Sequence, residues 1–122
     1  MRTVRAVLLA AVSAGALAGA VPAAADVHAA AASSTVTVTA GKPSEFRFTL
    51  STSTVKAGTV TFKVMNKGKL SHDFNIAGKT SPMVKPGKST TLTVKLKKGK
   101  YAYKCTVSGH AAAGMKGTLK VT

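Results

Sequence analysis

The stretch CTVSGHAAAGM places a thiol, an imidazole and a thioether in one run, at Cys105, His110 and Met115. Cys105 is the only cysteine in the chain. Thiolate and thioether donors suit Cu(I), and imidazole suits either oxidation state of copper. Two imidazoles and a thiolate in one plane, with a long axial thioether, make a type 1 copper site that moves one electron without large rearrangement. The second imidazole has to come from another part of the chain, where His28 and His72 are the remaining histidines. An unpaired thiol is open to oxidation outside the cytoplasm, and ligation to a metal is one reason for keeping it.

The elements that must carry these residues read as strands. TVTVTA (Thr35 to Ala40), EFRFTL (Glu45 to Leu50), TVTFKVMN (Thr59 to Asn66), LSHDFNI (Leu70 to Ile76), TLTVKL (Thr91 to Leu96), YAYKCTV (Tyr101 to Val107) and GTLKV (Gly117 to Val121) alternate apolar with polar or small residues. Such a period of two turns one row to a core and the other to water, and Thr and Val favour that setting. Gly41-Lys42-Pro43, Ala57-Gly58, Lys67-Gly68-Lys69, Ala77-Gly78, Pro86-Gly87 and Lys98-Gly99 fall between the runs as turns. The expectation is all-β: an antiparallel β-sandwich of about seven strands. Alternation puts His72 on the row of Leu70, Phe74 and Ile76, and Cys105 on the row of Tyr101, Tyr103 and Val107, so both face inward.

Each residue also has a plainer reading. His72 alone fits a hydrogen-bonded core histidine, Met115 a gap filler like Met65 or Met83, and Cys105 a small buried hydrophobe. It is the coincidence of all four that favours a metal. His28 lies in the leader and reads as unstructured.

Residues 1–25 read as a secretory signal: Arg2 and Arg5 precede an apolar run from Ala6 to Val21, and Ala23, Ala24 and Ala25 suit a peptidase site. Residues 26–34 read as a flexible leader and 35–122 as the domain, exported to the periplasm or beyond. Lys and Arg number 18 against 3 Asp and Glu, a formal charge of +15. That excess predicts fast, salt-sensitive association with acidic proteins and contact with anionic envelope surfaces. Lysines spread along alternating strands, in an exported chain, argue against nucleic acid.

With these residues in place, YAYKCTVSGHAAAGMKGTLKV and the upstream SHDFNI resemble the cupredoxin family, the small blue copper proteins that include plastocyanins, azurins, pseudoazurins and halocyanins. The resemblance covers Thr35 to Thr122. It implies a Greek-key β-sandwich, one type 1 copper at one end held by His72, Cys105, His110 and axial Met115, and electron carriage by a monomer, not enzymatic turnover. It also implies that His110 is the electron port, beside the small residues Gly109 to Gly114 and the lysines Lys104 and Lys116. The chain departs from the family at Asp73, where Asn is common; a carboxylate there would lower the copper potential.

Other chemistries lack parts. Zinc does not usually take a thioether. A dinuclear copper centre needs a second cysteine, and a trinuclear cluster needs His-x-His pairs; neither is present. A cysteine hydrolase built on Cys105 and His110 has no legible orienting residue or oxyanion arrangement. Copper buffering or delivery in the envelope, and a basic sandwich adhering to acidic polymers, remain the alternatives to electron carriage.

Overall fold

Alternating Val and Thr commit about half of the described residues to strands, and a sandwich results. The computed structural model describes residues 32–122. The expected signal, His28 and most of the expected leader lie outside the described residues. Among the described residues there are nine strands: β1 Ser33–Ala40, β2 Phe48–Leu50, β3 Thr54–Val55, β4 Gly58–Asn66, β5 Asn75–Ile76, β6 Lys79–Thr80, β7 Ser89–Leu96, β8 Gly99–Lys104 and β9 Lys116–Val121. One sheet has the order β2-β1-β4-β7 and the other β3-β9-β8-β5-β6. Pairing is antiparallel except for β1 with β4 and β3 with β9, which run parallel.

The inward rows of both sheets build the core. Val36 and Val38 of β1, Val60, Phe62 and Val64 of β4, and Val94 and Leu96 of β7 meet Ile76, Leu119 and Val121 of the other sheet. Phe74 is fully buried among aromatic rings, with Phe62 at 5.1 Å, Phe48 at 5.3 Å and Tyr103 at 5.3 Å between centroids. Such offset and edge contacts add to the area that each ring buries. Phe74 thereby anchors the segment that carries His72, two residues earlier.

The structure departs from simple alternation near one end. The run from Leu70 to Ile76, expected as a strand, forms a ladder only at Asn75–Ile76. His72 makes an isolated bridge to Val84, donating its N–H to the Val84 carbonyl at 3.1 Å and accepting from the Val84 N–H at 2.7 Å. Asn66 secures this arrangement. Its buried amide donates to the carbonyls of Leu70 at 2.7 Å and Val84 at 2.8 Å, and its oxygen accepts the Gly68 N–H at 2.8 Å. A buried amide with both ends satisfied fixes the loops around it. Leu70, expected inward, is 46% exposed, because no ladder holds its alternation in register.

Candidate metal centre

The Tyr101 strand ends its ladder at Lys104, and Cys105 follows with its side chain in the core, 1% exposed. From there the chain makes a tight excursion and returns: the Cys105 N–H donates to the Met115 carbonyl at 3.1 Å, and the Met115 N–H to the His110 carbonyl at 3.0 Å. Within the loop the His110 N–H donates to Val107, and the Ala113 N–H to Gly109 and His110. Small residues make such successive turns possible. Gly114, at φ 116°, lies where a Cβ would press on the Arg47 guanidinium, 3.2 Å away.

This path brings His110 back over Cys105. The Cys105 Sγ lies 3.6 Å from His110 Nδ1 and 4.0 Å from His72 Nδ1, and the two Nδ1 atoms are 3.1 Å apart. The point equidistant from these three atoms is about 2.1 Å from each, the circumradius of that triangle, which falls in the roughly 2.0–2.3 Å range of imidazole and thiolate bonds to a metal such as zinc. Three soft or borderline donors converging at bonding radius fit a copper ion. Met115 is fully buried in the same small cluster as Cys105 and Ala40. All four residues expected at the site therefore lie at one end of the sandwich.

Hydrogen bonds around the donors orient them. The register of β5 against β8 pairs Asn75 with Lys104 and Ile76 with Tyr103. Continued past the ladder, it sets Asp73 opposite Thr106. There the Asp73 carboxylate accepts from the Thr106 N–H at 2.6 Å and from the Thr106 hydroxyl. Asp73 thus ties the His72 segment to the Cys105 loop. Burial pushes the Cys105 thiol pKa up, while backbone hydrogen bonds from Asp73 and Val107 favour the thiolate and the nearby Asp73 carboxylate opposes it. A metal ion taking the thiolate has to displace that proton. Burial likewise pulls the His110 pKa down, and its neighbour His72 adds to this. His110 therefore favours the neutral, ligating form.

Alternation did not reveal Glu45. The structure places it at the site, its Oε2 2.6 Å from His72 Nε2. The segment expected as strand from Glu45 pairs only from Phe48, and its first three residues turn instead toward the donors. Phe46 packs edge-on to the His110 ring with centroids 4.9 Å apart, and Arg47 covers Gly114. A sequence signal for Glu45 did exist: it is one of only three acidic residues in a strongly basic chain.

His110, implied by the resemblance to be the electron port, is 92% covered; its remaining 8% exceeds the exposure of His72, Cys105 or Met115. Around it Gly109, Ala112 and Ala113 are exposed, and Met83 is 53% exposed beside the His72–Val84 bridge.

The chain matches the family described as a cupredoxin-like domain over residues 6–121. No curated protein sequence matches it. Among solved structures, auracyanin B is 24% identical with a TM-score of 0.65, over 73% of this chain and 88% of its own. Auracyanin A, a "blue" copper protein from the green thermophilic photosynthetic bacterium Chloroflexus aurantiacus, is 23% identical with a TM-score of 0.61, over 75% and 100%. Rusticyanin from Thiobacillus ferrooxidans is 26% identical with a TM-score of 0.56, over 74% and 77%. Fold and family match agree on the class: the chain belongs to the cupredoxin-like family.

Proposed function

We propose that this protein carries single electrons outside the cytoplasm on one type 1 copper that His72, Cys105, His110 and Met115 would hold. The observation that carries this reading is the triangle of Nδ1, Nδ1 and Sγ atoms, all within 4.8 Å of one another and buried. Copper, when bound, supplies the Cu(I)/Cu(II) couple. No substrate bond is made or broken.

The chain's own part is to hold the donors still. Cys105 is fixed by the loop closure to Met115, His72 by its bridge to Val84, and His110 by Phe46 and the turn after Val107. Backbone bonds and core packing do this without a metal, so the metal-free protein should be folded, unlike a zinc finger. His110 is the donor nearest solvent and the point of electron entry and exit. The small exposed residues around it allow a partner's cofactor to come close.

The lysines select that partner. An acidic redox protein is drawn to the surface by long-range attraction, so association should slow steeply as salt rises. The signal-like pattern of residues 1–25 supports an exchange in the periplasm or outside the cell. Burial of all four donors favours retention over delivery of copper, since an exchanging site needs its ligands within reach of an acceptor.

Adding Cu(II) to the metal-free protein should give an intense blue colour that is bleached reversibly by a one-electron reductant. Cys105→Ser should abolish the colour while leaving the fold intact by circular dichroism. A colourless copper-loaded wild type, or a C105S variant that stays blue, would overturn the reading.

A further inference from the structure

Glu45 contacts one metal donor directly and the loop beside it. Its Oε2 lies 2.6 Å from His72 Nε2, its Oε1 accepts the Lys69 N–H at 2.7 Å, and its Oε2 accepts the Leu70 N–H at 3.3 Å. Gly68 packs so tightly against the carboxylate that any Cβ there would collide with it. The side chain is about three-quarters buried, at 24% exposure, and the His72 side chain wholly so. A carboxylate seated by two backbone amides and hemmed in by a glycine has one orientation. It presents an acceptor to a buried imidazole.

That acceptor decides the tautomer. An ionised carboxylate only accepts, so His72 Nε2 carries the proton and Nδ1 keeps its lone pair. Nδ1 is the atom that faces His110 and Cys105. A carboxylate on the far nitrogen also makes the near one a stronger donor, as in the carboxylate–histidine pairs of many metal sites. Extra negative charge on the ligand set favours the more highly charged metal ion.

We propose that Glu45 is a positioning residue: it holds His72 with Nδ1 free for the metal, and its charge on the imidazole favours Cu(II) over Cu(I). The second half rests on the copper reading above; the first does not. The same carboxylate staples Lys69 and Leu70, so a purely structural role is the rival. Loosening a loop weakens both oxidation states together, whereas removing the charge changes their ratio.

Glu45→Gln retains an acceptor oxygen of similar size and removes the charge. At a fixed solution potential, the ratio of reduced to oxidised copper in E45Q should rise about tenfold over wild type, a shift of about 59 mV for one electron. An unchanged ratio, or a change in the other direction, overturns the electronic half. Nitrogen chemical shifts of the metal-free protein test the other half: His72 should be the Nε2–H tautomer in wild type and a mixture in Glu45→Ala. A wild-type His72 protonated on Nδ1 overturns it. Should E45Q not hold copper, the tautomer measurement decides alone. A wild type with the expected tautomer but no blue colour would sink the copper reading and leave the positioning role standing.

Discussion

Two described regions of the molecule treat charge in opposite ways. At the donor end of the sandwich both carboxylates, Glu45 and Asp73, are engaged in short hydrogen bonds, and every buried polar side chain among the described residues has a partner. On the outer face of the β8–β9 ladder, Lys100 stands directly opposite Lys120, and Lys104 opposite Lys116, all exposed. Among the described residues no lysine forms an ion pair with a carboxylate, since the one pair is His72 with Glu45. Like charges facing across a ladder are destabilising. The donor end is thus arranged for fixed geometry, and the lysine face accepts a small cost in stability in exchange for a field that reaches into solvent.

Truncation should separate the regions most sharply. Phe74→Ala removes the ring around which Phe48, Phe62 and Tyr103 pack, and it empties the core behind His72. The metal-free protein should lose about 3–5 kcal/mol, read from guanidinium unfolding. Thr118→Ala, between the lysine pairs on the exposed face, should stay within about 0.5 kcal/mol of wild type. Equal losses at the two positions would erase the distinction.

Asp73→Ala probes the donor end with a smaller expected effect. It deprives the Thr106 N–H and hydroxyl of their acceptor. Bonds to a charged group contribute about 1.5–3 kcal/mol when shielded, but Thr106 is exposed and water takes over part of the role, so about 1 kcal/mol should be lost in chemical unfolding. Copper dissociation should quicken as well, because the tie between the His72 segment and the Cys105 loop is gone. A variant as stable as wild type, with unchanged copper retention, would show that the register alone holds the two segments together.

The same contrast explains what the sequence made legible. Alternation of Val, Thr and Phe located the runs that hold seven of the nine described strands, although in β2 and β5 the ladder is much shorter than the run, and set His72 and Cys105 inward, because a half-buried strand imposes a period of two on its residues. It was silent on β3 and β6, each only two residues long and too short to show a period. Nor did it reveal that β1 runs parallel to β4, a pairing between strands that local pattern does not encode. Alternation misled where the backbone leaves the ladder to serve the site. Glu45 falls on what would be a solvent row, yet its carboxylate reaches His72, while Arg47 on the same row stays exposed, and Leu70 escapes the core. The position of Asp73 was visible beside His72, but its bond to Thr106 depends on how β5 registers against β8.

The smallest effect falls on the lysine face, and it runs opposite to the others. Lys100→Glu replaces one of two facing cations with a partner for Lys120, far along β8 from Cys105. An opposite-charge cross-strand pair contributes roughly 0.2–1 kcal/mol, and exposure to solvent keeps it at the low end, so the variant should be more stable by a few tenths of a kcal/mol. Colour and reduction potential should not change, because neither residue approaches the donors. Association with an acidic redox partner should slow, and the difference from wild type should vanish at high salt as screening removes the field from both. A substitution that stabilises the fold, spares the copper and slows the encounter would assign the uncompensated lysines to recognition. If K100E instead destabilised the sheet, the lysines would be part of its packing, through stems laid along the strands, and the division between the two regions would fail.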